Sequence, residues 1–281
     1  MKHILIGLLA FLACYAVLGQ DSAYNNPEIV SENALPARSY FIPYQDEVSA
    51  LQEGFSDRRL SLNGNWLFKL ITGKDKVPPN YYRRDFNTAD WKMLPVPSNW
   101  QTHGFGLPVY SNTTLDMEPD EVGLYRTVFT TPAAWEARRT ILRFEGVKTV
   151  FEVYVNGKYA GYAAPALLPV EFDITGFLNK PDESNLLAVA VYRTAAISKI
   201  ENFDTWRLSG IFRDVDLLSR PLYSIRDVAI HSPMINDYKD GHLSLQAFVQ
   251  GDSKKKGEKL ALRIKLLSPD KKVVKEEQLP I

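Results

Sequence analysis

From Leu60 onward the chain runs as short alternating segments, with turn signals every eight to twelve residues or so, which restricts it to a β-sandwich or a barrel. Leu142 and Phe144 alternate with Ile141 and Arg143, and Phe151, Val153 and Val155 share one strand face opposite Glu152 and Tyr154. Asn156-Gly157 follows at once. Both residues tolerate positive φ, so the pair predicts a type I′ hairpin that returns through Lys158 to Tyr162. Leu187, Val189 and Val191 mark another strand, entered from the turn cluster Asn179-Lys180-Pro181-Asp182. No helix longer than a turn or two is expected after residue 56, although Asp46 to Gly54 predicts a short helical turn before it. The fold class expected is all-β, with an antiparallel jelly-roll β-sandwich over residues 56–218.

After Arg220-Pro221 tryptophan disappears and lysine becomes common. Ser224 to Ile230, His242 to Gln250 and Lys259 to Leu267 read as strands, and Val273-Val274 begins another. In the third of these, Leu260, Leu262, Ile264 and Leu266 should point inward and Ala261, Arg263 and Lys265 outward. An immunoglobulin-like sandwich needs about seven strands over about 100 residues, so residues 219–281 are expected to be an incomplete one. Such a domain leaves an apolar face without a partner sheet, as in a chain cut short within a domain. Lys254-Lys255-Lys256-Gly257 reads as a solvated hairpin tip that discourages edge pairing, in preference to a nucleic-acid or lipid patch.

Lys+Arg and Asp+Glu both total 33 among 281 residues, so no global field favours nucleic acid or an anionic membrane. All five tryptophans lie between Trp66 and Trp206 and are expected to be core residues of the β domain more than sugar-stacking platforms. Residues 1–19 read as a signal peptide: Lys2 and His3 precede an apolar run from Ile4 to Val17, and Val17-Leu18-Gly19 suits cleavage before Gln20. Cys14 is the only cysteine, so the mature chain would have no disulfide, thiolate metal site or thiol nucleophile; the apolar run is too short to span a bilayer, and no transmembrane span is expected after signal removal. The expected location is secreted or periplasmic. A lipoprotein box at Leu12-Ala13-Cys14 is the lesser alternative, because the apolar stretch before it is short. Residues 20–55 are polar and irregular and read as an N-terminal arm lying across a domain.

The densest motif is Asp204-Thr205-Trp206-Arg207-Leu208-Ser209-Gly210-Ile211-Phe212-Arg213-Asp214-Val215. It is a loop with one carboxylate and one indole, then a Ser-Gly break, then a strand. A carboxylate beside a Trp face at the mouth of a β-structure suits a sugar or a hard cation. This run resembles the end of the sugar-binding domain of family 2 glycoside hydrolases, the β-galactosidase group. Further segments resemble that family in its order: Leu35-Pro36-Ala37-Arg38, Ser61 to Phe68, Asn99-Trp100, Tyr110 to Asn112, Val122 to Arg126, Phe144 to Val147, Val155-Asn156-Gly157 and Pro169 to Thr175. Together they cover nearly all of residues 35–218.

The resemblance implies a galactose-binding-like jelly roll, then an immunoglobulin-like sandwich, then a (β/α)₈ barrel carrying both catalytic glutamates of a retaining mechanism. Those two carboxyl groups stand roughly 5 to 5.5 Å apart. A barrel of about 250 residues does not fit between the second domain and Ile281. The expectation is therefore a non-catalytic N-terminal portion of an exported enzyme, inactive alone, with no catalytic residue. By resemblance, Asn112 reaches galactosyl hydroxyls, Asp204 contacts sugar and is a sodium ligand, and Glu201 is structural. The implied ligand is a β-galactoside-like carbohydrate. Alternatives are a stand-alone carbohydrate-binding module, or a subunit docking on a separate catalytic-barrel polypeptide or oligomer partner. The chain departs from the family pattern at Pro165, Ala166, Asn202, Phe203 and Asp120-Glu121, which puts the sugar preference in doubt. Arg207, Arg213 and Asp214 read as loop-to-strand ion pairing and not catalysis.

Overall fold

The computed structural model describes residues 22–111, 119–165, 167–200, 204–251 and 260–281. Asn112, Glu201, the signal segment with Cys14, the departures Ala166, Asn202 and Phe203, and the lysine tip at Lys254 all lie outside them. The chain divides into two compact units. The first holds the chain up to Ala37 with Arg59–Glu136 and Thr140–Leu218; the second holds Arg38–Arg58, Ala137–Arg139 and Ser219–Ile281. Residues 22–37 of the arm thus belong to the first unit and residues 38–55 to the second.

In chain order the strands that build the first unit are β1 (Ser31–Glu32), β2 (Arg59–Ser61), β3 (Gly64–Thr72), β4 (Lys92–Val96), β5 (Val109–Ser111), β6 (Glu121–Phe129) and β7 (Arg139–Phe144). There follow β8 (Val147–Lys148), β9 (Val150–Val155), β10 (Lys158–Ala163), β11 (Val170–Asp173), β12 (Asn185–Tyr192), β13 (Thr205–Arg207), β14 (Gly210–Ile211) and β15 (Val215–Arg220). Seven of them form one sheet in the order β1-β10-β9-β12-β6-β3-β4, and four form another in the order β11-β7-β15-β2. The fold is the all-β sandwich expected. Asn156 and Gly157 have φ of 52° and 79°, the double positive turn that joins β9 to β10.

The sandwich interior is the face predicted from alternation. Phe151, Val153 and Val155 pack in one cluster with Leu187, Val189 and Val191 from the same sheet and with Leu142, Phe144, Phe172, Val215 and Leu217 from the other. Full burial of such a side chain stabilises by about 1.5–3 kcal/mol.

Alternation fails on the other side of the large sheet, where a second core collects Val122, Leu124, Ala188, Ala190 and Tyr192 under Ala23, Tyr81 and Trp91. β12 is consequently buried at every position. A strand covered on both faces reads as a continuous apolar run, as Leu186 to Tyr192 does. In the smaller sheet Arg143 is buried too, held by Glu145 and by Glu171 at 2.9 Å. Four tryptophans are core residues, while Trp206 is 56% exposed.

In the second unit, β16 (Ser224–His231), β17 (Met234–Ile235), β18 (Asp240–Gly241), β19 (Ser244–Gln250), β20 (Ala261–Leu267) and β21 (Val273–Pro280) form three two-stranded sheets, β16-β19, β17-β18 and β20-β21. The only α-helix among the described residues is Glu47–Gln52, capped where the Asp46 carboxylate accepts from the Ser49 amide at 2.7 Å. Glu47 then receives Arg263 at 2.6 Å and Lys265 at 2.5 Å. Inside β20, Leu262 and Ile264 are half-buried as expected, but Leu266 is exposed and Lys265 half-buried. A register shift between Leu266 and Leu267 displaces the first, and the bond to Glu47 draws in the second. Ile230, Phe248, Val274 and Leu279 are exposed. Among the described residues no helix is long and apolar enough to cross a membrane.

Glu152 on β9 lies among Tyr154, Tyr192 and Glu32. Burial raises its pKa, the tyrosine hydroxyls oppose that, and the Glu32 charge adds to it. An acid whose folded pKa is raised favours the native state below its unfolded value, near 4.5, and that contribution is lost as pH rises through the folded pKa. Glu152→Gln is therefore expected to raise the melting temperature by roughly a few degrees at about pH 8 and by nothing at about pH 4. Thermal unfolding at both pH values checks this, and an equal shift at the two would refute it.

Candidate functional site

The motif that opens at Asp204 folds back onto a segment far upstream. β13 pairs antiparallel with β5, with Thr205 opposite Ser111, Trp206 opposite Tyr110 and Arg207 opposite Val109. The register ends at Ser111 and Thr205, which directly precede Asn112 and follow Asp204 in sequence. Tyr110 and Asp204, 94 positions apart, meet in a hydrogen bond: the phenol donates to Asp204 Oδ1 at 2.5 Å. That bond, with the carboxylate charge behind it, raises the Tyr110 pKa and keeps the phenol protonated. The Tyr110 and Trp206 rings lie 5.5 Å apart at 58°. Asp204 is exposed, so its carboxylate faces solvent beside two aromatic rings.

The chain after β13 is clamped from beneath. The Trp100 amide donates to Ser209 O at 3.1 Å, the Ser209 amide to Gln101 Oε1 at 3.0 Å, and the Ser98 amide to Ile211 O at 2.8 Å. Gly210 sits at φ 134°, where a Cβ would lie 2.6 Å from the Ser98 carbonyl oxygen. The Ser-Gly break is thus a close backbone approach that only glycine permits. Beside it opens a cleft of about 410 Å³ lined by Asn99, Lys148, Leu167, Thr205, Trp206, Leu208 and Phe212. An indole face, an amide and an ammonium around one cleft can pack a sugar ring and bond its hydroxyls.

One buried guanidinium holds both strands of the site. Arg193 is fully buried; its Nη1 pairs with Glu121 Oε2 at 2.6 Å, and its Nη2 donates to Leu107 O at 3.0 Å and Arg207 O at 3.1 Å. Neither residue stood out in the sequence as part of a site. Glu121 was visible only as a departure from the family pattern. Its neighbour Asp120 bonds the Lys74 amide and ammonium, both at 3.0 Å. Of the residues expected to make ion pairs, Asp214 meets Arg59 at 3.5 Å and accepts from Asn63 at 2.9 Å. Arg213 lies over the Phe212 ring at 5.3 Å, and Arg207 is buried at the end of β13.

Removing one partner of a buried ion pair leaves an uncompensated charge and costs about 3–5 kcal/mol. Arg193→Met is expected to destabilise the chain by about that amount, and adding Glu121→Gln should restore more than half of it. Urea unfolding of both single variants and the double variant tests the coupling, and strictly additive losses would disprove it.

Residues 60–221 match the family described as glycosyl hydrolases family 2, sugar binding domain. The chain is 37% identical over 241 residues to a β-galactosidase of Priestia megaterium, covering 79% of this chain and 23% of that protein. It is 38% identical over 243 residues to a β-galactosidase of Vibrio vulnificus, covering 83% of this chain and 23% of that one. The chain therefore spans about a quarter of the length of these relatives. A calcium-binding mutant of Bacteroides uniformis β-glucuronidase 2 superposes with a TM-score of 0.61 at 26% identity, over 79% of this chain and 26% of that one. A β-glucuronidase from an uncultured Clostridium sp. shares the fold with a TM-score of 0.63 at 23% identity, over 87% of this chain and 41% of that one. With a matched domain spanning more than half its length, this chain belongs to glycoside hydrolase family 2.

Proposed function

We propose that the chain supplies the sugar-contacting wall of an exported family 2 glycoside hydrolase acting on β-galactosides, with Asp204 as its principal contact. The observation that carries this reading is the Tyr110–Asp204 bond beside the exposed Trp206 face and its cleft. Tyr110 occupies one carboxylate oxygen and fixes the group's orientation. The other oxygen is left to accept from a sugar hydroxyl, and Trp206 packs the apolar face of the ring. Asn112, next in sequence to the paired Ser111, adds an amide that both donates and accepts. Similarity to β-galactosidases over 79% of the chain supports the substrate class.

Asp204 also suits a sodium ion as a single oxygen ligand. Among the described residues no group of three or more His, Cys, Asp or Glu is placed to hold a metal. Sugar hydroxyls and carbonyl oxygens would therefore complete the shell, the ligand type a hard cation prefers. Bound there, the ion would supply positive charge to hydroxyl oxygens. Export rests on residues 1–19, removed before Gln20, which N-terminal sequencing of the secreted or periplasmic protein would verify.

A second reading, a stand-alone carbohydrate-binding module, is favoured by one fact: the whole cleft lies within a single compact unit.

Calorimetric titration of the full chain with methyl β-galactoside separates these outcomes from failure. Millimolar binding is expected, weakened about tenfold by Asp204→Asn and about threefold by Tyr110→Phe. Sodium at fixed ionic strength should tighten wild-type binding and leave Asp204→Asn unmoved. Equal affinity of wild type and Asp204→Asn would sink the assignment. Turnover of a chromogenic β-galactoside by these 281 residues alone would place the chemistry within them and overturn the wall reading.

A further inference from the structure

A second cavity, of about 320 Å³, opens on the outer face of the seven-stranded sheet, where β4, β3, β6 and β12 run side by side. Leu67, Met93 and Leu186 form its apolar wall, and Arg84, Arg126 and Asn65 supply its polar groups. Arg126 is cross-strand neighbour to both Leu67 and Ala188, so it projects from the middle of a sheet face whose other residues are mainly apolar.

The two guanidiniums are not balanced by acid. Arg126 is 6% exposed; one nitrogen donates weakly to Phe86 O at 3.4 Å, and its Nε is buried with no hydrogen-bond partner. Its guanidinium lies 5.9 Å from the Trp91 ring. Arg84 donates to Ser184 O at 2.9 Å. The nearby carboxylates are engaged elsewhere, Asp85 by Arg83 and Asp90 by Lys69. Burial lowers the Arg126 pKa and the charge of the nearby, exposed Arg84 lowers it further. A largely buried guanidinium with one long hydrogen bond and no acid beside it is costly to maintain, and an oxyanion held beside both guanidiniums lowers that cost.

We propose that this cavity binds a sugar carrying an anionic substituent, a carboxylate or a sulfate, with the oxyanion held between Arg84 and Arg126. The ring rests on Leu67, Met93 and Leu186, and Asn65 bonds a hydroxyl. The cavity is larger than a bare oxyanion needs and falls within the range of about 300–1,000 Å³ typical of small-molecule sites. This site is separate from Asp204 and from the cleft beside Trp206, and does not depend on their assignment.

The test is calorimetric titration of the full chain in an Asp204→Asn background, so that the contribution of Asp204 is reduced. Galacturonate, galactose 6-sulfate, galactose and sodium sulfate are compared at constant ionic strength. Both anionic sugars are expected to bind about tenfold or more tighter than galactose and than sodium sulfate. Arg84→Gln, at an exposed position, should weaken them about fivefold or more, and Arg126→Met should abolish binding. Equal affinity for galactose, or indifference to Arg84→Gln, would overturn the proposal. Sodium sulfate binding as tightly as the sugars would mean an adventitious ion only, and would overturn it as well.

Discussion

The longest ladder of the large sheet ends on a buried charge pair. β6 and β12 stay in register from Phe129 opposite Asn185 to Val122 opposite Tyr192, and the next step is the Arg193 amide donating to Glu121 O at 2.9 Å. The Arg193 side chain turns the same way, meeting the Glu121 carboxylate on one side and two carbonyl oxygens on the other. Those carbonyls belong to Leu107, just before β5, and to Arg207, within β13. The strands that bring Tyr110 to Asp204 are therefore tied to the centre of the sandwich through one planar group. Lysine could not replace it, because an ammonium lacks the rigid fork that reaches a carboxylate and two carbonyls at once.

That anchoring explains what the sequence disclosed and what it hid. The Asp204 run was conspicuous because a carboxylate, an indole and a Ser-Gly break sit within seven residues. The bond from Tyr110 to Asp204 was hidden because the two lie 94 positions apart, and no local pattern encodes a pairing between two three-residue strands. Glu121 was legible only as an oddity. Its role depends on Arg193, which follows an unbroken apolar run and looks in sequence like the polar end of a strand. The sandwich face of β9, the hairpin at Asn156-Gly157 and the short helical turn after Asp46 were all local, and local rules described them. The second core was not, since it depends on Tyr81 and Trp91 being carried across the outer face by irregular chain. The same non-locality upsets β20, where the pull of Glu47 on Lys265 comes from a residue 218 positions upstream.

Covering the outer face has a further consequence. A seven-stranded sheet with one wet face could have presented Arg126 to solvent, as the polar residue of an alternating strand usually is. Tyr81, Trp91 and their neighbours cover part of that face and leave Arg126 at the margin, desolvated yet beside a cavity. Trp91 packs against the guanidinium and tolerates its charge, but supplies no acceptor for Nε.

Asp204 and Arg126 differ in hydration before any ligand arrives. Asp204 is solvated, so a sugar hydroxyl or a cation must displace water to reach it, and the net gain of one such exchange is only about 0.5–1.5 kcal/mol. Its strength as a contact grows only when something covers the carboxylate and lowers the local dielectric. Arg126 has already lost most of its water to folding, so an anion beside it competes with little more than one long hydrogen bond to Phe86 O. The proposed weak, cover-dependent contact at Asp204 and the proposed anion preference beside Arg126 both rest on that single difference in hydration.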